Sequence, residues 1–273
     1  MKKIFSTLIA SIMSVSVLTA VSVSAASATE VNALAVSTET IATATTVNGT
    51  SIPAGTVAIT VSISNNSGFS SSSVKLDLGS AYDVVLDSEG KLIVSAGIAL
   101  GESLIGSHNN EDIVVITSAS ADENIANGEM FTFYAYTDES LSDNSVSILE
   151  SEITEYISIE DAGISPCGSA ANFYYRGDVN DDDIVGASDA ALVLAALDDL
   201  GLSYLTYDEV SAWPEFYFPY IYVADAAFIW SDYRNIDSTT AEIILEYYAC
   251  RQAGENYTRP TGCVVGIPVR VNN

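Results

Sequence analysis

The segment Asp178-Val-Asn-Asp-Asp-Asp-Ile-Val-Gly-Ala-Ser-Asp189 places oxygen-bearing side chains at the first, third, fifth and twelfth positions of a loop: Asp178, Asn180, Asp182 and Asp189. The backbone carbonyl of Ile184 falls at the seventh. Calcium prefers roughly six to eight hard oxygens, and alternating side chains in a tight turn can aim at one centre while the twelfth residue returns from the start of a helix. The predicted chemistry is binding of one calcium ion by Asp178, Asn180, Asp182, the Ile184 carbonyl and Asp189. The sixth position, usually glycine because the backbone there is left-handed, is Asp183, and aspartate is among the few other residues that tolerate that conformation. The pattern is duplicated: Val185-Gly-Ala-Ser-Asp-Ala-Ala-Leu-Val-Leu194 recurs as Ile221-Tyr-Val-Ala-Asp-Ala-Ala-Phe-Ile-Trp230. In the second copy Pro214, Phe216, Phe218 and Pro219 replace the ligands at the first, third and fifth positions and the residue at the sixth, leaving Asp225 alone of the set. That loop is expected to bind no ion. Its aromatic residues Phe216, Tyr217, Phe218, Tyr220 and Tyr222 are expected to pack in a core or interface, with an exposed sugar-stacking platform as the less favoured use.

Catalytic chemistry is thinly represented. The one histidine, His108, lies in a polar stretch, Gly106-Ser-His-Asn-Asn110, that reads as a surface turn. A Ser-His-Asp arrangement would have to use it, and no spacing singles out a pair of carboxylates for glycoside hydrolysis. Cys167, Cys250 and Cys263 are an odd set at irregular spacing, neither a disulfide framework nor a metal cluster. Cys250 and Cys263 either pair across the short segment between them or are free buried thiols. The chain reads as non-enzymatic.

Helices must return Asp189 to the loop. Residues 188–200 carry Leu192, Val193, Ala196, Leu197 and Leu200 at helical spacing, with Gly201 as a stop. Residues 236–254 repeat the idea, with Ser238 or Thr239 as the cap and Ile243, Ile244, Tyr247 and Tyr248 as the core face. Upstream, residues 31–161 read instead as short strands at 56–63, 73–78, 91–96, 112–118, 130–137 and 145–149, separated by Gly, Asn, Asp and Ser clusters. Regularly spaced strands without alternating helices predict an antiparallel all-β sandwich, most naturally a jelly roll.

The 273 residues leave room for two domains, and a 48% hydrophobic composition is that of globular structure. The formal charge of −27, from 9 basic and 36 acidic residues, repels phosphate backbones and anionic lipid, so neither nucleic acid nor membrane insertion is expected. Residues 1–28 have the form of a secretory signal peptide: Lys2 and Lys3, an apolar run over 4–23, and small residues with cleavage after Ala25 or Ala28. No later stretch is long and apolar enough to span a bilayer, and residues 262–273 carry no hydrophobic tail or sorting motif, so a secreted, extracellular protein is expected.

A duplicated calcium-loop-and-helix unit in a secreted chain resembles a dockerin, the likeness resting on residues 173–236. The resemblance implies an EF-hand-like unit that docks onto the cohesin of a scaffold protein. Its recognition positions would be Ala187 and Ser188 in the first copy and Val223 and Ala224 in the second. The degenerate second loop and the extra helix imply one docking orientation. The first module resembles a cohesin, through Gly55-Thr-Val-Ala-Ile-Thr-Val-Ser-Ile-Ser-Asn-Asn-Ser-Gly-Phe-Ser70, Val74-Lys-Leu-Asp-Leu-Gly-Ser-Ala-Tyr-Asp83 and Asn127-Gly-Glu-Met-Phe-Thr-Phe133. The implied organisation is multi-domain: a signal peptide (1–28), a jelly-roll cohesin-like sandwich (29–161), a linker (162–172), a small helical dockerin with an extra C-terminal helix (173–256) and a tail (257–273). The function expected is that of a non-catalytic adaptor in a cellulosome- or amylosome-type, polysaccharide-degrading complex, the sandwich binding another subunit's dockerin. The alternative makes the sandwich a carbohydrate-binding module, whose mark would be exposed coplanar aromatics drawn from Tyr82, Tyr134, Tyr136 and Tyr156.

Overall fold

Alternation of Val57, Ile59, Val61 and Ile63 with Ala58, Thr60 and Ser62 sends every second side chain to one side of an extended chain. In the computed structural model these four branched residues lie in the core of a sandwich. The structure describes residues 32–100, 103–109, 112–137, 146–155, 173–212, 227–230 and 235–270. The proposed signal peptide, the linker, Cys167, Tyr156 and the whole second loop, with Val223, Ala224 and Asp225, lie outside the described residues.

The sandwich runs β1 (Ala33–Thr40), β2 (Thr45–Val47), β3 (Thr50–Ile52), β4 (Val57–Ser64), β5 (Phe69–Asp77), β6 (Asp83–Val84), β7 (Val94–Ala96), β8 (Ser103–His108), β9 (Ile113–Asn124), β10 (Gly128–Tyr136) and β11 (Ser147–Thr154). One antiparallel sheet has the order β1-β4-β10-β6, with β7 also paired to β10, and the other has the order β11-β5-β9-β8. Their inner faces meet through Val57, Ile59, Val61, Phe131 and Phe133 on one side and Val74, Leu76, Val114 and Ile116 on the other. The β2–β3 hairpin turns at Asn48 and Gly49, both with positive φ as a tight hairpin requires. Ile52 of this hairpin shares a small buried cluster with Val85, Ile93 and Tyr134.

Two expectations are corrected here. Gly106, Ser107 and His108 form the end of β8 rather than a turn. Gly106 makes this possible, because a Cβ there would stand 2.7 Å from Leu92 and 2.8 Å from Val94, which close over it. The second helix is capped by Asp237, not by Ser238 or Thr239. Its Oδ1 accepts from the Thr240 N–H at 3.3 Å.

The C-terminal half comprises β12 (Phe173–Tyr175), α1 (Ala187–Asp199), β13 (Tyr204–Leu205), α2 (Tyr207–Ser211), β14 (Ile236–Asp237), α3 (Ser238–Ala253) and β15 (Pro268–Arg270). α1 and α3 pack against each other, and both lie on the outer face of the second sheet: α1 over β9 and β5, α3 over β8 and β9. Residues 257–270, expected as a tail, are part of this half, since Cys263 and Val265 are buried in its core and β15 pairs with β12. Cys250 and Cys263 are free thiols. Among the described residues no helix is long and apolar enough to cross a membrane.

Candidate functional site

The acidic loop is held by its own side chains. The Asp182 and Asp183 amides donate to the two Asp178 carboxylate oxygens at 3.2 and 3.0 Å, and the Ile184 amide donates to Asp182 Oδ1 at 2.8 Å. Asp183 has φ of 68°, so the left-handed turn expected at the sixth position is made by an aspartate. Asp181, at 59°, adds a second left-handed residue. Asn180 Nδ2 donates to Asp182 Oδ2 at 2.9 Å and to Ser188 Oγ at 3.3 Å, tying the loop to the first turn of α1.

Asp189 reaches back from that turn. Its Oδ1 accepts from the Val179 and Asn180 amides at 2.6 and 3.1 Å, and its Oδ2 accepts from Gly186 at 2.7 Å. The carboxylate also stands at a helix N-terminus, where the backbone dipole favours negative charge. It is completely buried. Burial and the nearby Asp178 charge hold its pKa well above the usual carboxylate range, against the lowering effect of those amides. Asp178 is 3% exposed, and its pKa is pushed up to about 6 by burial and by the charge of Asp182.

The donor set fits a hard cation in type and order: three carboxylates, one amide oxygen and the carbonyl of Ile184, whose own side chain points to solvent. Buried carboxylates crowded by others of the same sign favour a proton or a cation. Among the described residues no three His, Cys, Asp or Glu side chains already stand around one point as a metal centre. The loop oxygens are turned onto backbone amides instead.

Of the expected recognition positions, Ala187 is buried in the core at the start of α1, and Ser188 is half-buried against the loop. The tyrosines weighed for sugar stacking do not form a platform among the described residues. Tyr82 and Tyr134 are buried, and Tyr136 is 47% exposed at the end of β10.

What the sequence reading missed is the contact between the halves. Its apolar centre joins Val115 to Ala249 and Ala253, with Ile105 and Ile113 packed against them, and brings Ala119 into the α1–α3 core with Ile105 and Ala121 beside it. Its edges are polar. Tyr248 OH donates to Glu152 Oε2 on β11 at 2.9 Å, and Asn109 Nδ2 donates to the Ala253 carbonyl at 3.0 Å. Two signals pointed to it: Ile113-Val-Val-Ile116, apolar on both faces of a strand, and Ala190–Leu197, apolar on every face of a helix.

The chain is similar to solved cohesin structures from Acetivibrio cellulolyticus. One is the second type II cohesin module of the cellulosomal adaptor ScaA scaffoldin, at 17% identity over 36% of this chain and 68% of that one, with a TM-score of 0.29. A structure of the same module with its long C-terminal linker aligns at 12% identity over 46% and 81%, with a TM-score of 0.33. An N-terminal interface mutant of a type II cohesin–X–dockerin complex aligns at 15% identity over 35% and 68%, with a TM-score of 0.28. No family model matches the chain, and no curated protein sequence matches it.

Proposed function

We propose that the chain is a secreted, non-catalytic adaptor of a polysaccharide-degrading multi-enzyme complex. In this reading the calcium-loop-and-helix unit docks onto the cohesin of a scaffold protein, and the sandwich takes the dockerin of another subunit. The observation that carries it is the loop over 178–189. Its left-handed turn at Asp183, its amide-bonded Asp178 and its buried Asp189 at the N-terminal turn of α1 support a loop that a cation would organise. One calcium ion would be held by Asp178, Asn180, Asp182, the Ile184 carbonyl and Asp189, neutralising carboxylates that otherwise crowd one another. The buried Tyr82 and Tyr134 weigh against a sugar platform on the sandwich.

The test is a pull-down with the mature chain against scaffold cohesins, dockerin-bearing enzymes and insoluble polysaccharides, each with calcium or with a chelator. Capture of a cohesin or dockerin that disappears in chelator supports the adaptor. Retention on polysaccharide alone, unaffected by chelator, would replace it with a targeting role.

A further inference from the structure

We propose that the edge of β8 is a binding site for an extended peptide segment of another protein, one in which lysine or arginine alternates with branched apolar residues. The proposal goes beyond the adaptor reading and does not depend on it. β8 is the last strand of the β11-β5-β9-β8 sheet, and among the described residues no strand pairs with it on the side away from β9. The phase of its ladder is set at the turn, where the Asn109 N–H donates to the Ile113 carbonyl at 2.9 Å. In antiparallel pairing such bonded residues recur at every second position, so Ser107 and Ile105 turn their peptide groups toward Val115 and Thr117. The N–H and C=O groups of Leu104, Gly106 and His108 therefore point away from the sheet. This edge is not blunted as the opposite one is. β11 carries a bulge between Ile148 and Glu150 and exposes Glu150 and Glu152, whereas β8 keeps its register without a break and has no proline, lysine or carboxylate over Ser103–His108.

The edge lies in a cleft rather than on open surface. A cavity of about 450 Å³ is lined by Leu104, Ile105 and Gly106, and a second, of about 290 Å³, continues past Gly106 to Ser107 and His108. The two walls differ in chemistry. One is α3, which presents Glu242 and Glu246, one turn apart on the same face, with Glu255 beyond the helix end. The other is apolar, made by Leu92 and Val94, with Asn48 of the β2–β3 hairpin held to the Val94 carbonyl at 2.9 Å. Three carboxylates thus face the cleft against the ammonium of Lys91, which is shared with Glu89 at 3.8 Å. A strand added to β8 would send its side chains alternately to the two faces of the sheet. Those on the outer face meet the glutamates, where a cation is favoured, and those on the inner face meet Leu92 and Val94. Main-chain bonds to Leu104, Gly106 and His108 would supply affinity, and the two walls would select the side chains. A sugar ring stacked on Trp230, which lines the same cleft, would leave that row of peptide groups unused.

The test uses the full mature chain and the peptide acetyl-Val-Lys-Val-Lys-Val-amide, followed by amide hydrogen exchange in NMR spectra. At ten times its Kd the peptide is expected to slow exchange about tenfold at Leu104, Gly106 and His108, and to change Ile105 and Ser107, already bonded within the sheet, far less. The same peptide methylated on its backbone nitrogens is expected not to bind. Glu242→Gln with Glu246→Gln keeps the shape of the acidic wall and is expected to weaken binding about five- to tenfold and to flatten its dependence on salt. No binding at millimolar peptide overturns the proposal, as does binding that leaves the three amides unprotected. Equal affinity for a peptide with glutamate in place of lysine overturns the charge pattern assigned to the occupant. Binding of cellobiose that shifts the Trp230 indole, with no peptide bound, would give the cleft to a sugar instead. No residue of the 178–189 loop lines the cleft, so failure here leaves the adaptor reading to its own pull-down.

Discussion

At Asp183 the backbone requirement and the side chain can be separated. A φ of 68° is tolerated by aspartate, free for glycine and strained for a β-branched residue. Asp183→Val is therefore expected to lower stability by about 1–2 kcal/mol, while Asp183→Gly leaves it within about 1 kcal/mol of wild type. Urea unfolding of the pair measures the difference, and equal losses in both variants would mean that the Asp183 carboxylate, rather than the turn, matters. Tyr248 is the corresponding residue at the contact between the halves. Burial, then its hydrogen bond to Glu152, raises its phenol pKa beyond the ordinary range. Tyr257 is raised in the same direction by burial and the Glu246 charge. An acid held above its unfolded pKa of about 10 keeps its proton longer in the folded chain. The stability it contributes is therefore complete below about pH 10 and declines as pH rises past that value. Tyr248→Phe is expected to cost about 1–2 kcal/mol at neutral pH, from a hydrogen bond to a charged group at a partly exposed rim. Its urea midpoint should also fall less steeply above pH 10 than that of wild type. Parallel curves above pH 10 would show that Tyr248 titrates as if exposed.

Among the elements, α1 is positioned by its loop as much as by its apolar faces. Calcium that binds only the folded loop adds about 2.7 kcal/mol at one hundred times its Kd, which for a chain of this size is about 5–10 °C in Tm. Asp182 is exposed and supports the fold through a bond from the Ile184 amide. Asp182→Ala should thus cost under about 1 kcal/mol in chelator while removing most of the calcium increment. Melting curves of both chains in calcium and in chelator decide this, and an increment that survives in Asp182→Ala would place the ion elsewhere. α1 and α3 were legible from helical spacing, and β4 and β10 from alternation, because those patterns are local. Details set by neighbours were not. The α3 cap falls at Asp237 because Ile236 and Asp237 first pair with Tyr204 and Leu205, and β8 runs through His108 because Leu92 and Val94 close over Gly106. The covering of β9 was half legible. Ile113-Val-Val-Ile116 asks for a partner on each face, but only the fold identifies the second partner as α3.

For the whole molecule the governing quantity is charge. Nine basic residues cannot neutralise 36 acidic ones, so the folded chain repels itself at every scale longer than a contact. Raising NaCl from 0.1 to 1 M shortens the screening length from about 10 to about 3 Å, and Tm in chelator is expected to climb steadily across that range. Calcium acts differently. It should act at one site, saturate at one ion per chain in titration calorimetry, and add its increment on top of the salt effect, since the buried carboxylates of Asp178 and Asp189 are screened little by diffuse salt. In Asp182→Ala the steady climb with NaCl should remain while the saturable step is lost. A Tm that does not change with NaCl would mean that the acidic surface is spread too thinly to oppose folding, leaving the buried loop carboxylates as the whole source of the chain's dependence on cations.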